Sequence, residues 1–206
     1  MLEFDAKTHT YTLDGRQIPS VSEIIRFAYR EVYEDPNQTL MDIAADRGTR
    51  VHRACQELDE SGTTEADEDI AGYVNAYIKF RKEHQCIWKG IEEMVYADVT
   101  GGEFAGTLDR YGLLDGVETI VDIKTSSKIT KKHQLLYAIQ MSAYMLALVW
   151  KTKKIVQSLA ILHLKSDGTY KLIYVDTKAE VFYACLLLHN AFSATKRKKK
   201  GDHTHG

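Results

Sequence analysis

The sequence predicts an α/β fold in which a central mixed sheet is flanked by helices. Three observations predict it. Apolar residues recur at helical spacing through much of the first 84 positions; from Cys86 to Thr125 the runs become strand-like; and beyond them a helix, two strands and a final helix follow in turn. The composition agrees, with 44% hydrophobic and 27% charged residues in a chain of 206. Roughly 70% of the unfolded surface can be buried at such a length, so neither disulfide nor structural metal is needed to hold a core. Any bound metal is then expected to serve function.

The elements follow in order. Residues 2 to 18 alternate around Asp14-Gly15, a hairpin turn signal, which predicts a small N-terminal β-hairpin. Pro19 precedes Ser20, and Glu23 lies three residues further on, a capping-box pattern that predicts a helix running to about Tyr33. A second helix is expected over 38 to 59, with Gly48 inside it either admitting a close backbone approach or, equally commonly, simply tolerated, and a third over roughly 66 to 84. Strands are predicted at Ile87 to Val99, Phe104 to Leu114 and Val117 to Lys124, divided by Gly101-Gly102 and Asp115-Gly116. A long helix at about 130 to 150, strands at 155 to 164 and 170 to 176 joined at Asp167-Gly168, and a helix at about 178 to 194 complete the chain.

Several function classes are disfavoured at once. No stretch approaches the ~18 uninterrupted apolar residues of a membrane span, and MLEFDAKTHT has no apolar signal-peptide core, which predicts a cytosolic protein without a membrane partner. Cys55, Cys86 and Cys185 form no CxxC pair, so zinc-ribbon spacing is absent. The net charge is −2. A polyanion partner is therefore not announced by the sum, although Lys124, Lys128, Lys131 and Lys132 cluster, as do Lys196 to Lys200 in KRKKK.

The chemistry concentrates on one hairpin. If Asp115-Gly116 forms a two-residue turn, Leu114 faces Val117, Asp109 lies opposite Asp122, and Lys124 lies opposite Thr107. Period-two alternation puts Asp122 and Lys124 on one face. Like charges opposed across a sheet are destabilising, so two facing aspartates call for a cation between them, and magnesium suits one or two carboxylates completed by water and phosphate oxygens. Asp122 sits within TIVDIKT, whose flanking Ile120, Val121 and Ile123 suggest a buried strand where a carboxylate needs a partner.

GTLDR at 106 to 110 followed by VDIKTSS at 121 to 127 resembles the PD-(D/E)XK nuclease superfamily, and the companion motifs resemble its RecB-like and phage exonuclease branch. These companions are HTYTLDGRQIPSVSEII at 9 to 25, RGTRVH at 47 to 52, the strand at Ile91 to Tyr96, and Gln140 with Tyr144 in a QxxxY element. The resemblance implies a restriction-endonuclease-like core and a single domain over 1–206. Its parts would be an N-terminal hairpin and helices (1–84), a catalytic core (85–176), and a C-terminal helix with a basic tail (177–206).

As implied by the resemblance, Asp109, Asp122 and Lys124 are catalytic. His52, Asp109, Asp122 and the Ile123 backbone carbonyl would hold Mg2+ or Mn2+, with Glu92, favoured over Glu93, as an additional ligand. Substrate contacts would come from Gln140, Tyr144, Ser20, Ser22, Thr125, Ser126, Lys128, Lys131 and Lys132, although helix capping is at least as good a reading of Ser20. An iron–sulfur cluster is not expected, because three cysteines at this spacing cannot supply the four ligands some relatives carry. The implied activity is phosphodiester hydrolysis in DNA, as an exonuclease rather than an endonuclease, in phage-type recombination, replication or repair. The implied setting is the phage or bacterial host cytosol, with a single-strand annealing protein as partner and the oligomeric state open. Two alternatives remain: a non-catalytic DNA-binding or recombination-accessory protein on the same fold, and a protein that acts by binding a host complex.

Overall fold

The computed structural model describes residues 1–33 and 38–201, with side chains for 1–33 and 41–193. A five-stranded mixed sheet is built from β4 (Cys86–Val99), β5 (Gly102–Leu114), β6 (Val117–Lys124), β7 (Ser158–Leu164) and β8 (Tyr170–Val175), which lie side by side in that order. Neighbours are antiparallel except β6 and β7, which run parallel. Asp115 and Gly116 both take positive φ, 51° and 83°, as a two-residue hairpin turn of matching twist requires. The predicted register follows from Leu114 opposite Val117 out to Arg110 opposite Val121.

Apolar alternation along the strands supplies two cores, one on each face. Ile120, Leu159 and Ile161 point to the side covered by α1 (Val21–Ile24), α5 (Lys131–Thr152) and α6 (Ala179–Gly201). Val121, Ile123, Ala160, Leu162 and Leu164 point to the side of α3 (Gln38–Ser61) and α4 (Glu68–Glu83). Covered on both faces, β7 reads as a largely apolar run and β6 places Ile120, Val121 and Ile123 on both of its faces, as suits the parallel part of a sheet. Glu68 and Asp69 in the first turn of α4, and Arg81 and Lys82 in its last, complement the helix dipole. Among the described residues no helix is long and apolar enough to cross a membrane.

The N-terminal segment forms a three-stranded antiparallel sheet of β1 (Leu2–Asp5), β2 (Thr10–Leu13) and β3 (Arg16–Ile18), one strand more than the hairpin predicted. The extra turn holds His9 at a φ of 53°, a left-handed conformation for which the sequence gives no glycine signal. This small sheet is fixed to β5 by Tyr11 Oη and Thr107 Oγ1 at 2.8 Å and by the Ala105 N–H donating to Pro19 O.

The helix expected to reach Tyr33 is broken at Ile25 into α1 and α2 (Arg26–Val32). Val21, Ile24 and Ile25 are anchored in the core, whereas α2 buries none of its residues, so nothing pulls the later turns onto the same axis. The strand expected from 155 begins only at Ser158, and α6 continues through the basic run to Gly201. The side chains of Lys196 to Lys200 lie outside the described residues.

Candidate metal centre

The ladder between β5 and β6 ends at Arg110–Val121, immediately before Asp109 and Asp122. Asp109 Oδ2 instead accepts from the Ile123 N–H at 2.6 Å, so a carboxylate takes the place of a main-chain partner where the strands part. Lys124 consequently does not pair with Thr107, which faces Met94 on β4, but lies opposite His163 on β7. On the other side of Asp109 the β4–β5 ladder runs from Ile91–Arg110 to Glu93–Leu108 and skips the intervening pair, Glu92 and Asp109. Glu92 has a φ of 45°, left-handed for a residue with a side chain. Glu92 and Asp109 thus sit together where both ladders are interrupted, and Asp122 follows on β6 just past the last β5–β6 pair. Three carboxylates there repel one another.

His52 on α3 closes over these acids. Its Nε2 lies 3.0 Å from Ile123 O, and only an N–H can bond a carbonyl, so in the neutral ring Nδ1 carries the lone pair. That lone pair faces Asp109 Oδ1 at 3.5 Å and Glu92 Oε1 at 3.6 Å. The ligating atoms of His52, Glu92 and Asp109 all lie within 4.8 Å of one another. Burial opposes a charge on His52, but Asp109 and Glu92 outweigh it and raise the ring above its ordinary value. Either a proton or a cation must sit among these acceptors.

Asp122 lies outside the three-residue cluster. Its Oδ2 is 2.6 Å from Lys124 Nζ, an ion pair that lacks the alignment of a hydrogen bond, and its side chain is only 3% exposed. Burial pushes its carboxyl up to about 6 and Asp109 adds to the rise, while Lys124 holds it down. Burial disfavours the charge of Lys124, but Asp122 and Asp109 outweigh it and raise that amine. The pair therefore suits its two members unequally. The rise at Asp122 persists because two buried acidic groups share one amine.

A divalent cation fits these donors. The His/Glu/Asp set offers one nitrogen and two oxygens, and the buried Asp122 Oδ2 lacks an aligned donor. His52, Glu92 and Asp109 would hold the ion, while the Ile123 carbonyl, bonded to His52 Nε2, fixes the ring tautomer.

A groove of about 920 Å³ opens over the cluster, lined among others by His52, Glu92, Asp109, Lys124, Gln140 and Tyr144. Gln140 Nε2 donates to Tyr144 Oη at 2.9 Å, so the two act as one wall. Gly106 is needed beneath them, since a Cβ there would lie 2.6 Å from Tyr144 Cε1. Gly48 has no such role: a Cβ there would meet only Thr125 Oγ1 at 3.8 Å, an ordinary contact, so the close helix approach gives way to simple tolerance.

Ser20 and Ser22 also line the groove, and Ser20 is engaged as the cap of α1, accepting from the Glu23 N–H at 3.0 Å. Thr125 is buried, and the Ser126 carbonyl accepts from His163 Nε2 at 2.5 Å. Lys128, Lys131 and Lys132 are exposed near the start of α5 and do not line the groove.

Sequence reasoning missed three residues near the centre. Arg110, wholly buried, donates to Asp59 and Glu92, and Tyr137 stacks under Lys124, whose Nζ is 4.8 Å from the ring centre. Arg110 stood in the GTLDR segment itself, and Asp59 stands two helical turns after His52. Tyr137 lies one turn before Gln140 without any pattern to single it out.

No family model matches the chain, and no curated protein matches it. A crystal structure described as a "Putative exonuclease" from Eubacterium rectale is similar, with a TM-score of 0.52 and 16% identity over 84% of this chain and 72% of that one. At that identity the likeness shows a shared fold. The crystal structure of SSO0001 aligns over 82% of this chain and 84% of that one at 9% identity, but its TM-score of 0.38 is too low to bear on the fold.

Proposed function

We propose that this chain is a metal-dependent deoxyribonuclease of the PD-(D/E)XK type, with residues 1–206 as one nuclease domain. The observation that carries the reading is the convergence of His52, Glu92 and Asp109, with the Asp122–Lys124 ion pair on the neighbouring strand. A binding module has no use for so costly a convergence of acids, which counts against the non-catalytic alternative.

A bound Mg2+ or Mn2+ would supply Lewis acidity and hydroxide at neutral pH; hydroxide would add to phosphorus as the P–O bond to the leaving sugar oxygen breaks, and that oxygen would take a proton from water. The chain's own residues do the rest. His52, Glu92 and Asp109 hold the ion, and Asp122 anchors Lys124 at 2.6 Å so that its charged amine faces the groove. There Lys124 orients the attacking water and offsets charge developing on the phosphoryl oxygens. Tyr144 and Gln140 form a wall against which the strand lies. Lys128, Lys131 and Lys132 hold the DNA backbone outside the groove, so binding weakens steeply with salt.

The exonuclease form of the activity is supported by the description of the Eubacterium rectale protein and by the motif resemblance. The same resemblance supports a role in phage-type recombination, replication or repair in the bacterial cytosol, beside a single-strand annealing protein. Incubating linear and circular DNA with Mg2+ or Mn2+ tests the reading. Degradation of linear DNA that Asp122→Ala and Lys124→Ala abolish is expected; no degradation, or degradation unchanged in both variants, would overturn it.

A further inference from the structure

We propose that Arg110 is a positioning residue for the metal centre and that Asp59 is its anchor. Resting on the reading of His52, Glu92 and Asp109 as metal ligands, the inference is that this buried pair sets how tightly the ion is held.

Arg110 heads the fully buried side chains by size, with none of its surface exposed. A guanidinium enclosed in this way must be paired and hydrogen-bonded. Its fork reaches three elements at once. Nε donates to Asp59 Oδ2 on α3 at 2.6 Å, and Nη1 donates both to Glu92 Oε1 on β4 at 3.0 Å and to the Asp109 carbonyl on its own strand at 2.6 Å. The Asp59 side chain is likewise buried, accepts from Tyr77 Oη at 2.5 Å and pairs with Arg81, which ties α4 to the same point. Tyr77 also packs its ring against the guanidinium, 5.8 Å from centroid to carbon.

Two features connect this network to the ion. First, one atom belongs to both: Glu92 Oε1 lies 3.0 Å from Arg110 Nη1 and 3.6 Å from His52 Nδ1. Glu92 also has its backbone at φ 45°, a conformation unfavourable for a residue with a side chain that persists only where the surroundings fix it. Arg110 provides that fixing contact. Second, His52 and Asp59 are seven positions apart on α3 and so share a face, about 10 Å apart along the axis. Clamping Asp59 to Arg110 sets the rotation and height of α3, and with them the height of His52 above Glu92 and Asp109. Both the histidine and the glutamate are thus referred to one guanidinium, which also offsets part of the repulsion among the three acids before an ion arrives.

The test is Mn2+ affinity, measured by electron paramagnetic resonance on the purified full chain, alongside Tm in EDTA. Arg110→Lys keeps the charge and loses the fork; Asp59→Asn keeps the shape and loses the anchor's charge; His52→Ala removes a ligand. The expected result is Mn2+ binding in the wild type, none in His52→Ala, and a 10–100-fold weakening in folded Arg110→Lys or Asp59→Asn, the usual size for groups that orient ligands. Wild-type affinity in either folded variant, with only Tm lowered, would overturn the positioning role and leave the metal reading intact. Failure of both variants to fold would assign the pair to stability alone and likewise overturn it. Absence of Mn2+ binding in the wild type would remove the metal reading itself, and this inference with it.

Discussion

Replacing Asp122 with asparagine should make the protein more stable while removing the charge that holds Lys124. The carboxyl is raised from 3.8 to about 6 because it is buried and because Asp109 repels it, with the attraction of Lys124 already included in that balance. A folded-state value above the unfolded one means that this group favours folding most below about pH 4. That contribution is lost as the pH rises through about 6. The change from 3.8 to about 6 corresponds to about 3 kcal/mol at neutral pH as an upper limit. Relaxation and water entry from the groove reduce the expected gain of Asp122→Asn to about 1–2 kcal/mol. Urea unfolding in EDTA at pH 7.5 and at pH 4, with wild type and variant compared at each, reads the effect. The variant should gain stability at pH 7.5 and little at pH 4. An equal gain at both values, or a loss at pH 7.5, would refute the account of Asp122 as an acid held at a cost by its surroundings.

Three further outcomes follow from the same geometry. Gly106→Ala would push a methyl group into Tyr144 and Val21, so a loss of about 1–3 kcal/mol is expected by chemical denaturation, together with weaker DNA binding through the displaced groove wall. Ser20→Ala removes the cap of α1 and should cost about 1 kcal/mol in the same measurement, with unchanged DNA affinity if the hydroxyl is only a cap. Mn2+ at a hundredfold excess over its Kd should add about 2.7 kcal/mol and raise Tm by roughly 5–10 °C, and His52→Ala should abolish the shift in differential scanning fluorimetry.

Much of this architecture was legible because it is local. The Asp115-Gly116 turn fixes its own register, and alternation carried that register inward as far as Arg110 and Val121, one pair short of the expected Asp109–Asp122 pairing. The same extrapolation failed at Lys124, because the β5–β6 ladder ends before the aspartates and leaves only the β7 pairing that β6 keeps from Thr119 to Lys124. A regular hairpin rule cannot foresee where like charges force strands apart. The buried Arg110–Asp59 pair joins positions 51 residues apart, a separation no local pattern spans. The turn at His9 stayed hidden since histidine there adopts a conformation that glycine or asparagine usually marks. Gly48 could not be decided from sequence between a close approach and mere tolerance, and the room for a methyl group there favours tolerance.

The most direct test of the central claim is the release of acid-soluble nucleotides from linear duplex DNA by wild type and Lys124→Ala, each with Mn2+ and with EDTA. Lys124 stands in the groove beside the proposed ligands without being one of them. The account predicts Mn2+-dependent release by the wild type and a loss of about 10²–10³-fold in Lys124→Ala, a variant that still binds Mn2+. Wild-type protein that binds Mn2+ and DNA yet releases no nucleotides, or a variant that releases them at the wild-type rate, would contradict it.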